Sequence, residues 1–147
     1  SETEPMKIWG EYRDGVIVPA ASPVISASCL RVPVSDGHTA AVSVRFDRKP
    51  TREQILSAWE RGDGFADLSA LPSAPARFVH YLPDCDRPQP RLDRNTEHGM
   101  AVSVGRLRED TLFDWKFVGL SHNTLRGAAG GAVLIAELLY LRGYFEG

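Results

Sequence analysis

Arg31 and His38 are the two side chains of this 147-residue chain best suited to act on one small molecule together. An arginine is charged at every accessible pH and offers a planar fork that holds a carboxylate by two parallel hydrogen bonds. A histidine exchanges a proton near neutral pH. Between them runs Val32-Pro33-Val34-Ser35-Asp36-Gly37, an extended stretch followed by an Asp-Gly dipeptide. Asp-Gly between two apolar runs signals a type I′ hairpin, because both central residues of that turn need positive φ. In such a hairpin Ser35 faces His38 and Arg31 faces Val42, so Arg31 and His38 project from one face of the sheet. They then lie about 13 Å apart at ~3.3 Å per residue, a gap that an arginine side chain shortens to the size of a four-carbon substrate. A one-residue slip would put them on opposite faces. Taken alone, an arginine and a histidine beside a hairpin are usually surface residues. No segment of the chain supplies an obvious nucleophile or a glycine-rich dinucleotide loop, so the pair reads as part of an active site.

The other reactive side chains carry less. Cys29 falls on the Arg31 face by strand alternation, which makes a thiol nucleophile conceivable, although cysteines on strands are mostly small buried hydrophobes. Cys85 sits in a proline-rich loop and reads as a bystander. His122 precedes Asn123 at the expected start of a helix, where a histidine is more often structural than a ligand. His80 and His98 have no partners at metal-ligand spacing, and no metal site is expected. Gly127, Gly130 and Gly131 depart from GxGxxG spacing and read as packing glycines.

The elements that must position Arg31 and His38 follow from periodicity. Residues 1–9 read as a helix end closed by Gly10, with a turn at Asp14-Gly15. Val24–Val34 is β-branched and bounded by Pro23 and Pro33, which predicts a strand. Thr39–Phe46 alternates, with Val42, Val44 and Phe46 on one face and Ala41, Ser43 and Arg45 on the other. Thr51 and Gln54 form a capping box, Ile55, Leu56 and Trp59 form an apolar stripe, and Gly62 stops the helix. Residues 62–76 are loop-like. Phe78–Leu82 reads as a short strand, and Met100–Leu107 and Trp115–Leu120 as two more. The polar stretch 83–99, roughly 15 residues, is long for a connector, and it carries no assignable chemistry. Asn123–Leu141 reads as a helix that is apolar on most sides and therefore buried, against this domain or another. The expected class is α+β, a mixed and largely antiparallel sheet flanked by helices.

Composition narrows the function. Hydrophobic residues make up 43% and charged residues 24%, ordinary values for a soluble globular domain. A net charge of −2 argues against nucleic-acid or anionic-membrane partners. Arg87, Arg91, Arg94, Arg106 and Arg108 are interleaved with Asp84, Asp86, Asp93 and Glu97, a mixed-charge surface. Two distant cysteines fit a reducing cytosol rather than a disulfide framework. The longest apolar run, Ala128–Ala136, falls short of the roughly 20 residues that span a bilayer. The acidic N-terminus lacks a signal-peptide pattern, and a start without methionine reads as a piece of something longer.

The wording Ser28-Cys29-Leu30-Arg31-Val32-Pro33-Val34 with Gly37-His38, followed by Gly119-Leu120-Ser121-His122-Asn123-Thr124-Leu125-Arg126-Gly127-Ala128-Ala129-Gly130-Gly131, resembles the aspartate-β-semialdehyde dehydrogenases of the fungal and archaeal type. Residues 87–93 and 99–108 resemble the same family in the same order. The resemblance runs from about residue 5 to residue 142, and it covers only the C-terminal catalytic and dimerisation part of such an enzyme. It implies an NADP-dependent reduction of β-aspartyl phosphate to aspartate β-semialdehyde, through a cysteine acyl-thioester, on the route to lysine, threonine and methionine. It implies that His38 transfers a proton at the tetrahedral oxygen, that Arg31 holds the substrate carboxylate and that Asn123 contacts the cofactor. The family's Asn-Cys-Ser/Thr nucleophile lies upstream of anything present here, and Cys29 is not that residue. The roles of the family's glutamate and lysine do not transfer to Glu2 or Glu4. The nucleotide-binding domain is missing, and the last helix would pack on it.

These expectations together describe a cytoplasmic homo-oligomer, dimer or tetramer. Residues 1–147 alone would be inactive and would hold NADP poorly. Two alternatives stand beside that reading. One is a dimerisation or structural module without catalysis. The other is a relative of N-acetyl-γ-glutamyl-phosphate reductase, which the Arg-Val-Pro-Val and Asn-Thr-Leu-Arg-Gly-Ala-Ala-Gly wording disfavours.

Overall fold

The computed structural model describes residues 2–62 and 68–145, which fall into two compact units, Ser1–Pro33 and Val34–Gly147. In the first, helix α1 (Glu4–Ile8) leads through Gly10 into a two-stranded ribbon, β1 (Glu11–Arg13) and β2 (Val16–Val18). Their turn is Asp14-Gly15, with φ of 49° and 85°, the two positive values that a type I′ hairpin demands. The expected strand over 24–34 does not form, and its residues are almost all exposed. β-propensity measures fit to a pleated, half-covered surface, and Val24, Leu30 and Val32 find none. The second Asp-Gly therefore joins no hairpin. Only Gly37 there has positive φ.

The second unit is built on a four-stranded sheet in the order β3-β6-β5-β4. Its strands are β3 (His38–Val44), β4 (Val79–Leu82), β5 (Val102–Glu109) and β6 (Trp115–Ser121). β3–β6 and β6–β5 are antiparallel, and β5–β4 is parallel. This is the mixed, largely antiparallel sheet of the α+β class expected from the sequence. β3 pairs with β6 over its whole length and is not the second arm of a hairpin; Val42 faces Phe117, not Arg31. The partner is a continuous strand with Trp115 and Phe117 opposite Val44 and Val42, cross-strand contacts that a proline-bounded 24–34 segment cannot match.

Directly opposed residues share a face, so the register divides the sheet cleanly. One face carries Val42 and Val44 of β3, Trp115 and Phe117 of β6, and Tyr81 of β4. It is covered by α2 (Arg52–Arg61), whose Trp59 ring meets Phe117 at 5.2 Å and Tyr81 at 6.1 Å. The capping box of α2 forms as expected: Thr51 Oγ1 accepts from Gln54 N–H and Gln54 Oε1 accepts from Thr51 N–H. Gly62 ends it in the left-handed conformation, φ 59°.

The other face, with His80, Ser103, Gly105 and Leu120, is covered by the 83–99 segment. That segment is ordered by a short helix α3 (Pro90–Asp93) and a 3₁₀ turn (Thr96–Gly99). Buried Asp93 gathers it, accepting from Arg87 Nε at 2.7 Å, from Arg87 Nη2 and from Gln89 N–H at 2.6 Å. Ser103 Oγ donates to Thr96 Oγ1 at 3.3 Å. A Cβ on Gly105 would collide with the carbonyl of Arg87, so this strand position requires glycine. The long connector is a lid on the sheet, a role its polar composition concealed.

The last helix begins later than expected. A single π turn (Leu125–Ala129) precedes α4 (Gly130–Leu141). Leu134 packs with Leu71 and Phe78, with Leu138 beside them, and Glu137 accepts from Ser73 N–H and Oγ. Leu134 is the only residue of α4 that this chain buries; Val133, Ile135, Tyr140 and Leu141 are exposed, as for a helix whose remaining cover was expected from another domain. The elements of this chain cover one stripe of a helix that is apolar on most sides.

Candidate active site

His38 heads β3 and lies in a row with Ser121, Val102 and Val79 at one end of the sheet. Its side chain is exposed, while the residue before it is buried. Gly37 sits at φ +112° between Leu120 and Pro90, and a Cβ there would meet Leu120 Cδ1 at 3.1 Å and Pro90 Cβ at 3.2 Å. Its N–H donates to Asn123 Oδ1 at 2.9 Å. Arg94 Nη1 donates to Ser35 Oγ at 3.1 Å two residues earlier. The backbone that delivers His38 is thus held by β6, by the 83–99 segment and by the start of the last helical region.

Asn123 is half-buried, two residues beyond the cross-strand partner of His38. The structure brings these two predicted residues to one end of the sheet. Arg31 belongs to the Ser1–Pro33 unit, on an irregular and exposed stretch. The hairpin that was to set Arg31 and His38 on a common face is absent, and the spacing argument lapses with it. Cys29 is exposed and on no strand, contrary to the buried position expected; Cys85 is also exposed.

His122 is a structural cap. Its buried Nδ1 lies 3.3 Å from both Thr124 N–H and Leu125 N–H, and as their acceptor it satisfies donors at the start of the π turn. Arg126, one turn on, stacks over Phe78 at 5.5 Å, and burial pushes its pKa down. His80 Nε2 approaches Glu97 Oε1 at 3.4 Å, a neighbour invisible to sequence spacing. Among the described residues no three His, Cys, Asp or Glu side chains converge as a metal site would need.

The structure is thus an α+β domain with a histidine at a sheet end, its backbone clasped on three sides. The chain belongs to the semialdehyde dehydrogenase dimerisation-domain family, whose profile matches residues 1–126. The aspartate-semialdehyde dehydrogenase of Candida albicans is 46% identical over 144 residues, 94% of this chain and 40% of its own length. That of Saccharomyces cerevisiae is 52% identical over 120 residues, 80% of this chain and 33% of its own. Among solved structures, the Candida albicans enzyme with NADP superposes with a TM-score of 0.80 at 44% identity, covering 95% of this chain and 40% of that one. Aspartate semialdehyde dehydrogenase II of Vibrio cholerae gives 0.59 at 30% identity, over 75% and 29%. The chain spans 40% or less of the length of these relatives.

Proposed function

We propose that this chain is the C-terminal catalytic and dimerisation part of an NADP-dependent aspartate-β-semialdehyde dehydrogenase. In that reaction a thiolate from outside this chain displaces phosphate from β-aspartyl phosphate, giving an acyl-thioester. NADPH supplies the hydride that reduces the thioester carbon. His38 gives a proton to the tetrahedral oxygen and takes it back as the hemithioacetal collapses to aldehyde and thiolate. Arg31 holds the substrate carboxylate through its two-pronged fork. For the cofactor, the chain offers Asn123: its Oδ1 is engaged by Gly37 and its Nδ2 edge remains to donate to a carboxamide-type acceptor. That fits one corner of a nicotinamide site, and the chain alone should hold NADP weakly.

The observation that carries the reading is the 46% identity to a dehydrogenase across 94% of the chain. The test is made in the full-length protein that contains it, as NADPH formation dependent on semialdehyde and phosphate. His38→Ala should lower kcat by about 10²-fold or more with little change in KM. Arg31→Lys should raise the KM for semialdehyde although charge is kept. An unchanged kcat and an unchanged KM in the respective variants would withdraw both roles. Activity with N-acetyl-glutamyl semialdehyde in place of aspartate semialdehyde would move the assignment to the reductase relative.

A structural role accompanies the catalytic one. β3 is an edge strand with its outer backbone edge unpaired within this sheet, and α4 leaves an apolar side uncovered. The proposed occupants are a second copy for the former and the nucleotide-binding part of the dehydrogenase for the latter. Light scattering at tens of micromolar should give a dimer or tetramer, and a monomer alone would contradict the assembly. No described helix is long and apolar enough to cross a membrane. The cytoplasm is the proposed compartment.

A further inference from the structure

We infer that Asn123 is a positioning residue for His38, acting through the backbone of Gly37. The inference rests on the reading of His38 as the proton-transfer group. β3 begins at His38, so the N–H of Gly37 lies outside the β3–β6 pairing and needs an acceptor of its own. Gly37 is buried, which makes an unmet donor costly. Asn123 Oδ1 meets it at 2.9 Å across 86 residues of sequence.

The geometry leaves this contact little substitute. Leu120 and Pro90 close on Gly37 from its side-chain direction, and its φ of +112° is one that few other residues adopt. The backbone entering His38 is thus held by packing at one side and by a single hydrogen bond at the N–H. Ser121 pairs with His38, and Asn123, two residues on, holds the residue before it, so the exit of β6 fixes the height and the tilt of the imidazole's backbone together. Proton transfer is sensitive to such placement, and a shift of about 1 Å from a distant change can cost ~10²-fold. An aspartate would preserve the acceptor oxygen; alanine removes it, and serine is too short to reach.

The test compares variants of the full-length dehydrogenase. Asn123→Ala should lower kcat by about 10–100-fold, in addition to a rise in the KM for NADP⁺ from the lost cofactor contact. Asn123→Asp should recover most of kcat. In the His38→Ala background, Asn123→Ala should cost nothing further in kcat, because that effect passes through the imidazole. A full, multiplicative loss in that background would overturn the inference, as would a change confined to the KM for NADP⁺. If Asn123→Ala lowers the urea midpoint too far for assay, Asn123→Ser against Asn123→Asp makes the same comparison. His38→Ala retaining the parent kcat would instead overturn the reading of His38, an outcome in which Asn123 plays no part.

Discussion

The middle of the sheet and the last helix are both aliphatic, yet they end in opposite environments. Leu120 is 1% exposed and Ser103 0%, whereas Ile135 is 59% and Leu141 62% exposed. Around Leu120 and Ser103, α2 lies on one face of the sheet and the 83–99 segment on the other, so the cover there is supplied by this chain. Around α4, among the described residues, Leu71, Phe78 and their neighbours supply the cover, and they cover a single stripe. Apolar content states that a side chain seeks cover; topology decides whether the same chain provides it.

The sharpest way to break the contrast is Leu120→Ala. A fully covered leucine should cost about 3 kcal/mol, read as a fall in urea stability; a loss as small as at an exposed site would mean the sheet is not the core. Gly105→Ala should follow at about 1–3 kcal/mol, because the added methyl must push the Arg87 carbonyl away. Tolerance there would show that the 83–99 segment does not clasp the sheet.

Asp93→Asn probes the same clasp through pH. The Arg87 hydrogen bonds, joined by the Gln89 N–H, hold the Asp93 carboxyl below the usual carboxylate range despite its burial. A lowered folded-state pKa adds stability that is complete above the unfolded value, about 4, and fades as pH falls through the lowered one. The variant should therefore have a lower urea midpoint at pH 7 and converge on the parent in acid. A gap independent of pH would remove the ion pair from the account. The smallest effect belongs to Ile135→Ser, within about 0.5 kcal/mol in the isolated chain. In the full-length protein the same change should cost more, and equal costs would leave α4 without its proposed neighbour.

Local devices were legible in the sequence and long-range pairing was not. The capping box of α2 and the Asp14-Gly15 turn are decided within a few residues, and both formed. The identical dipeptide at 36–37 failed because β3 found a better partner far along the chain in β6. The 83–99 segment has no periodicity to read, since its order comes from Asp93 and from close approach to Gly105. In the site, residue type and spacing marked His38 beside Arg31, and the family resemblance marked Asn123. The fold joins His38 and Asn123 through the amide of Gly37, a glycine that no motif would single out.

The row His38–Ser121–Val102–Val79 bears on how this domain can vary in length. Deleting or inserting one residue within β3 would turn the imidazole to the opposite side of the sheet or carry it along the strand by about 3.3 Å. The exposed link at Asp47 and Arg48 joins β3 to α2 beyond the far end of the strand, and loops of that kind absorb extra residues cheaply. Natural or engineered indels should therefore accumulate at that link and spare the strand.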